Sequence, residues 1–313
     1  MSQPAPHTRP PKRIVDGILL LDKPVGITSN RALQIAKRIF RAKKAGHTGS
    51  LDPLASGMLP LCLGQATKVS GWLLNANKEY EVEVQIGART DTADADGQEV
   101  EVADKRSITE AELAAAVSAH LGELQQIPPM YSALKHDGRR LYELARAGVE
   151  VERPPRAVVI YELEVLHFDP VRPRLRVLCS KGTYIRSLAE TLAAHMGTLA
   201  HVRALRRTAV EPFGPAPMVG LDQLEALAGD EAALDGLLLA PDAALATFPE
   251  VELSANEAFY LLNGHAVGHA AADISGMVRI YDAKRLFLGL GEVEADGRVA
   301  PKRLFINPAD DPK

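Results

Sequence analysis

Alternation of apolar and polar residues predicts antiparallel strands in the first two thirds of the chain. Residues 78–86 place Tyr80 and three aliphatic side chains on one face and four polar side chains on the other. Residues 174–180 repeat the pattern with arginines on the polar face. A period of two is typical of a strand with one buried and one wet face. Further strands are predicted over 17–24, 158–168 and 201–208, and a hairpin over 278–293.

Apolar residues spaced three and four apart predict helices between these strands. Ser29 is placed to cap a helix with one apolar stripe and one basic side. Thr109 and Glu112 have the spacing of a capping box. Thr183 can cap a third helix, and another is predicted over about 66–74.

Residues 46–60 predict a loop, because three glycines and two prolines oppose regular structure. Pro53 and Pro60 should stop a helix or a central strand from running through them. The loop presents four polar side chains: His47, Thr48, Ser50 and Asp52. A carboxylate in a stiff loop could be a nucleophile or a general acid/base. The alternative is an Asx-turn on the surface.

Composition bounds the class of protein. The 313 residues suffice for two domains, and 46% hydrophobic with 24% charged residues is typical of a soluble globular protein. Cys62 and Cys179 are far apart, which excludes a disulfide framework or thiolate zinc site and fits a reducing cytosol. No apolar run reaches the length of a membrane span, and the N-terminus lacks a hydrophobic export signal. We therefore expect a cytoplasmic protein with no membrane association.

Charge is unevenly distributed along the chain. The net charge is −4, yet residues 1–44 carry +8 and residues 131–210 carry +6, so the remainder carries −18. Two basic segments in an acidic chain suggest one face for a polyanion, although either segment could be an ordinary solvated surface.

Residues 91–97 resemble a calcium-binding loop, but the bidentate glutamate that an EF-hand needs is replaced by Ala103. We therefore predict an acidic hairpin loop and no metal site. Residues 1–13, with four prolines, predict a disordered basic tail. Residues 209–220 are rich in proline and glycine and predict a linker.

The 46–60 segment, G-H-T-G-S-L-D-P-L-A-S-G-M-L-P, resembles the signature of the TruB family of tRNA pseudouridine-55 synthases. Five further segments match the family pattern in order: Leu21-Asp22-Lys23-Pro24, Lys78-Glu79-Tyr80, Tyr131-Ser132-Ala133-Leu134-Lys135, Gly182-Thr183-Tyr184-Ile185-Arg186 and Leu205-Arg206-Arg207-Thr208. The resemblance covers about residues 17–214.

The resemblance implies roles for residues of these motifs. Asp52 corresponds to the catalytic nucleophile. Arg186 is the candidate partner, because an adjacent guanidinium favours a charged carboxylate and its planar fork can hold one with two hydrogen bonds. Tyr80 can stack on the base and transfer a proton. The predicted substrate-binding residues are His47, which takes the place of the flipped base, Tyr184 and Leu205, which wall the pocket, and Lys23.

The basic segments supply the predicted phosphate contacts. These residues are Lys37, Arg38, Arg41, Lys43, Lys44, Lys135, Arg139, Arg140 and Arg146. The last four lie in residues 125–156, which we predict to be a mobile insertion facing RNA.

The resemblance also implies an α+β fold, namely the pseudouridine synthase fold with a mixed, largely antiparallel sheet flanked by helices. The implied domains are a catalytic domain over 14–214, a connection over 215–250 and a small β-rich PUA-like domain over 251–313. The expected partner is the T arm of tRNA, bound by a monomer that needs no cofactor and no obligatory protein partner. Two alternatives are a catalytically silent RNA-binding module and a guide-dependent synthase subunit of a ribonucleoprotein. Residues 136–156 resemble the insertion of the stand-alone branch.

Overall fold

The computed structural model describes residues 11–268 and 274–305. Most of the predicted tail, residues 1–10, lies outside the described residues. Within them the strands are β1 Gly17–Lys23, β2 Ala45–His47, β3 Ser56–Leu63, β4 Lys78–Ile86, β5 Ala88–Thr90, β6 Glu99–Val102, β7 Gly122–Gln126, β8 Lys135–His136, β9 Arg139–Arg140, β10 Arg156–His167, β11 Arg174–Cys179, β12 Ala200–Val210, β13 Val219–Gly220, β14 Glu250–Leu253, β15 Val267–Gly268, β16 Gly276–Asp282, β17 Phe287–Val293 and β18 Arg298–Leu304.

The helices are α1 Ser29–Ile39, α2 Ser70–Asn75, α3 Glu110–Ala119, α4 Leu141–Arg146, α5 Ile185–His195, α6 Leu221–Ala226, α7 Glu231–Asp235 and α8 Ala255–Leu262. Short 3-10 helices span Gly64–Lys68 and Pro241–Leu245.

The main sheet has the strand order β13-β1-β3-β12-β4-β11-β10-β7, with β2 paired to one end of β3. The β1–β13 and β3–β12 pairs are parallel and the others are antiparallel. The predicted mixed, largely antiparallel sheet is therefore confirmed. Strand β13 lies in the predicted linker, so the sheet extends beyond residue 214.

One face of the main sheet carries the principal core, in which buried residues of α1, α3 and α5 pack on the strands. A second cluster covers the opposite face of β1 and β3, using α2, the 3-10 segment Pro241–Leu245 and Leu290 of the C-terminal sheet. That five-stranded sheet has the order β14-β16-β17-β18-β15 and its own core against α8. The C-terminal sheet is thus joined to the main sheet by shared apolar packing.

The remaining wet face of the main sheet is covered by ion pairs. Arg176 lies 3.1 Å from Glu79, and the Arg174–Glu81 and Arg203–Glu83 pairs have separations of 3.1 and 2.7 Å. These arginines contribute to the positive charge of residues 131–210, but acids of β4 neutralise them across the strands. The net charge of residues 131–210 therefore overestimates the number of cations in that segment that are available to bind a polyanion.

The structure corrects the predicted loop over residues 46–60. Residues 46–60 are not one loop, because β2 and β3 enter them from both ends and leave only residues 48–55 irregular. Pro60 lies inside β3, opposite Leu20 of β1. Its carbonyl accepts the Thr48 N–H, so its backbone faces away from β1 and the missing N–H falls between the stretches paired with β2 and β12.

The N-caps of α1 and α5 each differ by one residue from the prediction. Thr28, and not Ser29, caps α1, and Thr183 bonds the Ser180 carbonyl instead of capping α5. The helix predicted over 66–74 is divided into Gly64–Lys68 and α2. The Thr109–Glu112 capping box is confirmed.

Candidate active site

The loop that carries Asp52 is hydrogen-bonded to α1 and to the turn after β1. The Ser29 hydroxyl accepts the Leu51 N–H at 2.7 Å and donates to the Leu51 carbonyl at 3.0 Å. The Gly26 N–H donates to the Pro53 carbonyl at 2.8 Å. Residues on both sides of Asp52 are therefore fixed by hydrogen bonds that do not involve its carboxylate.

Arg186, in the first turn of α5, contacts this carboxylate. Its Nη2 lies 3.0 Å from Asp52 Oδ2. The Arg186 side chain is only 4% exposed, whereas that of Asp52 is 41% exposed. The pair thus combines an accessible carboxylate with a buried guanidinium, the arrangement expected of a nucleophile with a fixed counter-ion.

The other nitrogens of Arg186 bind neighbouring segments. Nη1 donates to the Thr92 carbonyl at 2.8 Å and Nη2 to the Tyr131 carbonyl at 2.7 Å. Nε lies 3.8 Å from the buried Asp94 carboxylate. Asp52 therefore receives one contact from Arg186, and not the two hydrogen bonds that a planar guanidinium could provide. The guanidinium also contacts the 91–97 loop and residue Tyr131 of the 125–156 insertion, which it joins to the site.

The carboxylate of Asp52 has a shifted proton affinity. Loss of hydration raises the pKa of the Asp52 carboxyl above its usual range, and the Arg186 guanidinium opposes this rise. Nearby Asp94 adds to the rise by repulsion. A raised carboxyl pKa in an accessible site is typical of a reactive group.

Strands β4 and β12 carry the predicted pocket residues Tyr80 and Leu205. Tyr80 on β4 is buried, and Leu205 on β12 lies opposite Val82 of β4. Burial raises the pKa of the Tyr80 hydroxyl, against the Arg207 charge, which lowers it. Tyr80 is also close enough to Asp52 for that charge to affect its pKa. The structure therefore groups Tyr80 with the carboxylate.

Tyr184 occupies the position just before α5. The Gln126 side chain accepts the Tyr184 N–H at 2.9 Å and donates to its carbonyl at 3.1 Å. Burial raises the pKa of the half-buried Tyr184 hydroxyl, and the Asp52 charge contributes to the same direction. Tyr184 is therefore close enough to Asp52 and Arg186 for both charges to act on its hydroxyl.

His47 and Lys23 flank the loop in different environments. Burial, with repulsion from Arg207 and Arg140, lowers the pKa of the half-buried His47. Its Nδ1 is buried without a hydrogen-bond partner within the described part of the chain. Lys23 is fully buried and donates to the Pro24 and Ile27 carbonyls, both at 2.8 Å. Burial lowers the pKa of Lys23 to about 8. Its two hydrogen bonds hold the turn after β1 from inside the protein.

The predicted phosphate-binding residues differ in availability. Arg41 pairs with Glu231 of α7, which neutralises it. Lys43 and Lys44 are exposed, as are Arg38 and four residues of the β8–β9 hairpin and α4: Lys135, Arg139, Arg140 and Arg146. Lys37 is half-buried. The guanidinium groups of Arg140 and Arg146 lie over the Tyr142 ring, at 5.9 and 5.6 Å from its centroid.

The described residues contain neither a metal-binding cluster nor a membrane-spanning helix. No group of three or more His, Cys, Asp or Glu side chains there could hold a metal ion. None of the helices in residues 11–268 and 274–305 has the length and apolar character to cross a membrane.

Sequence comparison assigns the family along nearly the whole chain. Residues 37–185 match the TruB family pseudouridylate synthase (N terminal domain), residues 186–246 the tRNA pseudouridylate synthase B C-terminal domain, and residues 249–305 the Pseudouridine synthase II TruB, C-terminal domain. A tRNA pseudouridine synthase B of Pseudomonas fluorescens is 51% identical over 298 residues, which cover 94% of this chain and 97% of the relative. The chain belongs to the TruB family. A second relative of the same name, from Methylobacillus flagellatus, is 48% identical over 294 residues, which cover 94% of this chain and 96% of that relative.

Solved structures confirm the pseudouridine synthase fold of this TruB-family chain. It superposes with a TM-score of 0.72 and 25% identity on a chain of an H/ACA RNP bound to a substrate RNA containing 2′-deoxyuridine, covering 95% of this chain and 87% of the other. A chain of the archaeal box H/ACA sRNP Nop10-Cbf5 complex gives a TM-score of 0.70 and 26% identity, covering 95% and 88%.

Two residues of this TruB-family site were not identified from the sequence. Asp94 lies in the acidic 91–97 segment, where the sequence indicated only a hairpin loop that resembles a calcium-binding loop without its bidentate glutamate. Arg207 was part of a matched motif but received no role, because its strand pattern gave no sign that it is buried. The structure places Arg207 at 1% exposure beneath the site.

Proposed function

We propose that this TruB-family enzyme converts uridine to pseudouridine at position 55 in the T loop of tRNA. The observation that supports this most directly is the accessible Asp52 carboxylate held 3.0 Å from the buried Arg186 guanidinium. Relatives that are 48% and 51% identical over 94% of the chain carry the name tRNA pseudouridine synthase B. The H/ACA chains share only 25–26% identity, which favours the tRNA reaction over a guide-dependent one.

The reaction breaks the bond from uracil N1 to ribose C1′ and forms one from C5 to C1′. A proton leaves C5 and one is gained at N1, so atoms and electrons balance without a cofactor. Asp52 would attack the nucleotide and hold one fragment covalently while the base turns. Arg186 would keep the carboxylate charged and oriented.

Neighbouring side chains would hold the detached base and move its proton. Tyr80, buried beside Asp52, would stack on the uracil and act in proton transfer at C5. Tyr184 and Leu205 would form the pocket walls that keep the base from diffusing away. Exclusion of water by these groups would protect the covalent intermediate from hydrolysis.

A uridine stacked in the T loop must first leave its stack. His47 would occupy the vacated position, since its lowered pKa keeps the ring neutral and able to pack among bases. Exposed Lys43, Lys44, Arg139 and Arg140 would bind phosphates and set affinity without reading sequence. Lys23 would act indirectly, by holding the turn after β1.

Each domain would have its own role in this reaction. Residues 14–214 would carry the chemistry, the 125–156 insertion would contact RNA, and residues 251–313 would add an RNA-binding surface through a connection over 215–250. The enzyme would act as a cytoplasmic monomer without an obligatory protein partner.

The test is to incubate the purified protein alone with an unmodified tRNA transcript and to map pseudouridine by carbodiimide treatment and primer extension. The proposal predicts one new stop, at position 55, and none in a transcript with cytidine there. Modification only after a guide RNA is added would favour the ribonucleoprotein alternative. Tight tRNA binding without any modification would favour a silent RNA-binding module.

A further inference from the structure

Arg207 is a buried charge that the proposed mechanism does not use. Its side chain, on β12, is 1% exposed. Its Nε donates to the Met58 carbonyl of β3 at 2.6 Å, and its Nη2 donates to the Gly49 carbonyl at 3.2 Å. Among the described residues, no carboxylate lies within ion-pair distance of it.

A buried guanidinium without a carboxylate is costly, because desolvation of the charge is repaid only by hydrogen bonds to neutral groups. A neutral side chain could fill the space between β12 and β3 at lower cost. The charge therefore points to a requirement other than stability.

The two carbonyls that Arg207 binds belong to the two ends of the Asp52 loop. Met58 lies in β3, just after the loop, and Gly49 lies three residues before Asp52. One side chain thus spans the loop from beneath. The support is separate from the Ser29 and Gly26 bonds, which hold the residues next to Asp52.

The same side chain faces Tyr80. Arg207 and Tyr80 are directly paired across β12 and β4, and both are buried on the same side of the sheet. Residues opposite each other in an antiparallel pair have their Cβ atoms about 5 Å apart. The Arg207 charge also lowers the pKa of the Tyr80 hydroxyl, which fits a guanidinium close to the phenol oxygen.

We infer that Arg207 is a positioning residue that fixes the Asp52 loop and the Tyr80 hydroxyl relative to each other. It acts through these two groups and need not touch the RNA. This inference rests on the proposed function, because it assigns Asp52 and Tyr80 their roles. A planar guanidinium spreads its N–H donors over three nitrogens and can reach two carbonyls on different segments while it faces a hydroxyl, whereas an ammonium directs its three donors from a single point.

The first test compares Arg207→Gln with Arg279→Gln. Arg279 is the control, since it also binds a carbonyl and a tyrosine hydroxyl, those of Phe248 and Tyr281, but in the C-terminal domain and with Glu250 as an ion-pair partner at 3.1 Å. Single-turnover rate, tRNA dissociation constant and thermal melting are measured for each. We expect Arg207→Gln to lower the rate about 100-fold with a dissociation constant within about two-fold of wild type. Arg279→Gln should lower the melting temperature and leave the single-turnover rate at saturating tRNA unchanged.

The second test is a double-mutant cycle with Tyr80→Phe. If Arg207 acts through the Tyr80 hydroxyl, Arg207→Gln should cost much less rate in the Tyr80→Phe background than in the wild type. If Arg207→Gln does not fold, Arg207→Lys replaces it in both tests, with a smaller loss expected. Its long aliphatic stem fills much of the same space, and its charge is retained.

A folded Arg207 variant with the rate of the Arg279 control would overturn the inference, as would rate losses that simply add in the cycle. Both outcomes require an active wild type. A wild-type protein that forms no pseudouridine would instead count against the proposed function.

Discussion

Arg186 Nη2 lies 3.0 Å from the Asp52 carboxylate, with the arginine buried and the carboxylate open to a ligand. The same guanidinium binds the Thr92 and Tyr131 carbonyls, so it links three segments distant in sequence. The orientation of the Asp52 carboxylate therefore depends on a side chain that is itself held by hydrogen bonds to Thr92 and Tyr131.

Replacing Arg186 with lysine should remove catalysis while keeping RNA binding. An ammonium is a point charge on a flexible stem and cannot serve Asp52, two carbonyls and Asp94 together. We expect single-turnover rates to fall about 100-fold with tRNA affinity within about three-fold of wild type. Wild-type turnover in Arg186→Lys would show that the contact is an ordinary ion pair.

The reaction should be lost in acid at a pH above the usual carboxyl range. Burial raises the pKa of Asp52, and only its ionised form can attack the nucleotide. Activity is therefore present above this pKa and disappears as the pH falls through it. Single-turnover rates between about pH 4 and 8, with tRNA binding measured in parallel, should show this loss. A rate that stays constant to the ordinary aspartate pKa would contradict the shift.

Gly57 is required where β3 approaches β12. Its φ is +99°, and a Cβ there would lie 2.2 Å from the Arg207 carbonyl oxygen. Gly57→Ala should lower the free energy of unfolding by about 2 kcal/mol or more, since strain and overlap act together. Gly71→Ala, in helix α2 with nothing within 4 Å, should be stabilising by about 0.5–1 kcal/mol. Urea unfolding of the two variants provides the comparison, and equal midpoints would refute the close approach.

Salt dependence should separate free cations from paired ones. Lys43 and Lys44 are exposed and make no ion pair within the described residues, whereas Arg174 is paired with Glu81. The Lys43→Ala/Lys44→Ala variant should reduce the slope of log affinity against log salt by about one per lost phosphate contact. Arg174→Gln should leave the slope unchanged. Equal slopes for both variants would remove the Lys43–Lys44 pair from the RNA contacts.

The strands and the capping box were predictable because they depend on local patterns. The alternation over 78–86 places Tyr80 inside and Glu79 outside, and the structure has both there. The loop of Asp52 was predicted too long, because the effect of Pro60 depends on which edge of β3 its missing N–H faces. That edge is set by long-range pairing, which a local pattern cannot show.

Only those residues of the site that lie in the recognised sequence motifs, and have a known role there, could be predicted. The proximity of Asp52 and Arg186 followed from the resemblance, but Asp94 is brought there by the β5–β6 hairpin, and Arg207 by a register between two strands. The estimate of positive charge available for RNA was too high for a similar reason. Arg41 and the arginines of β11 meet acids that are far away in sequence.

Asp52→Asn tests the central claim most directly, because it preserves size and removes the carboxylate while the loop keeps its bonds to Ser29 and Gly26. Pseudouridine formed per tRNA and the tRNA dissociation constant are measured on one preparation. The account predicts no conversion, with binding equal to or slightly tighter than wild type, since a negative charge near the RNA is gone. Conversion retained in a preparation free of Asn deamidation would contradict it.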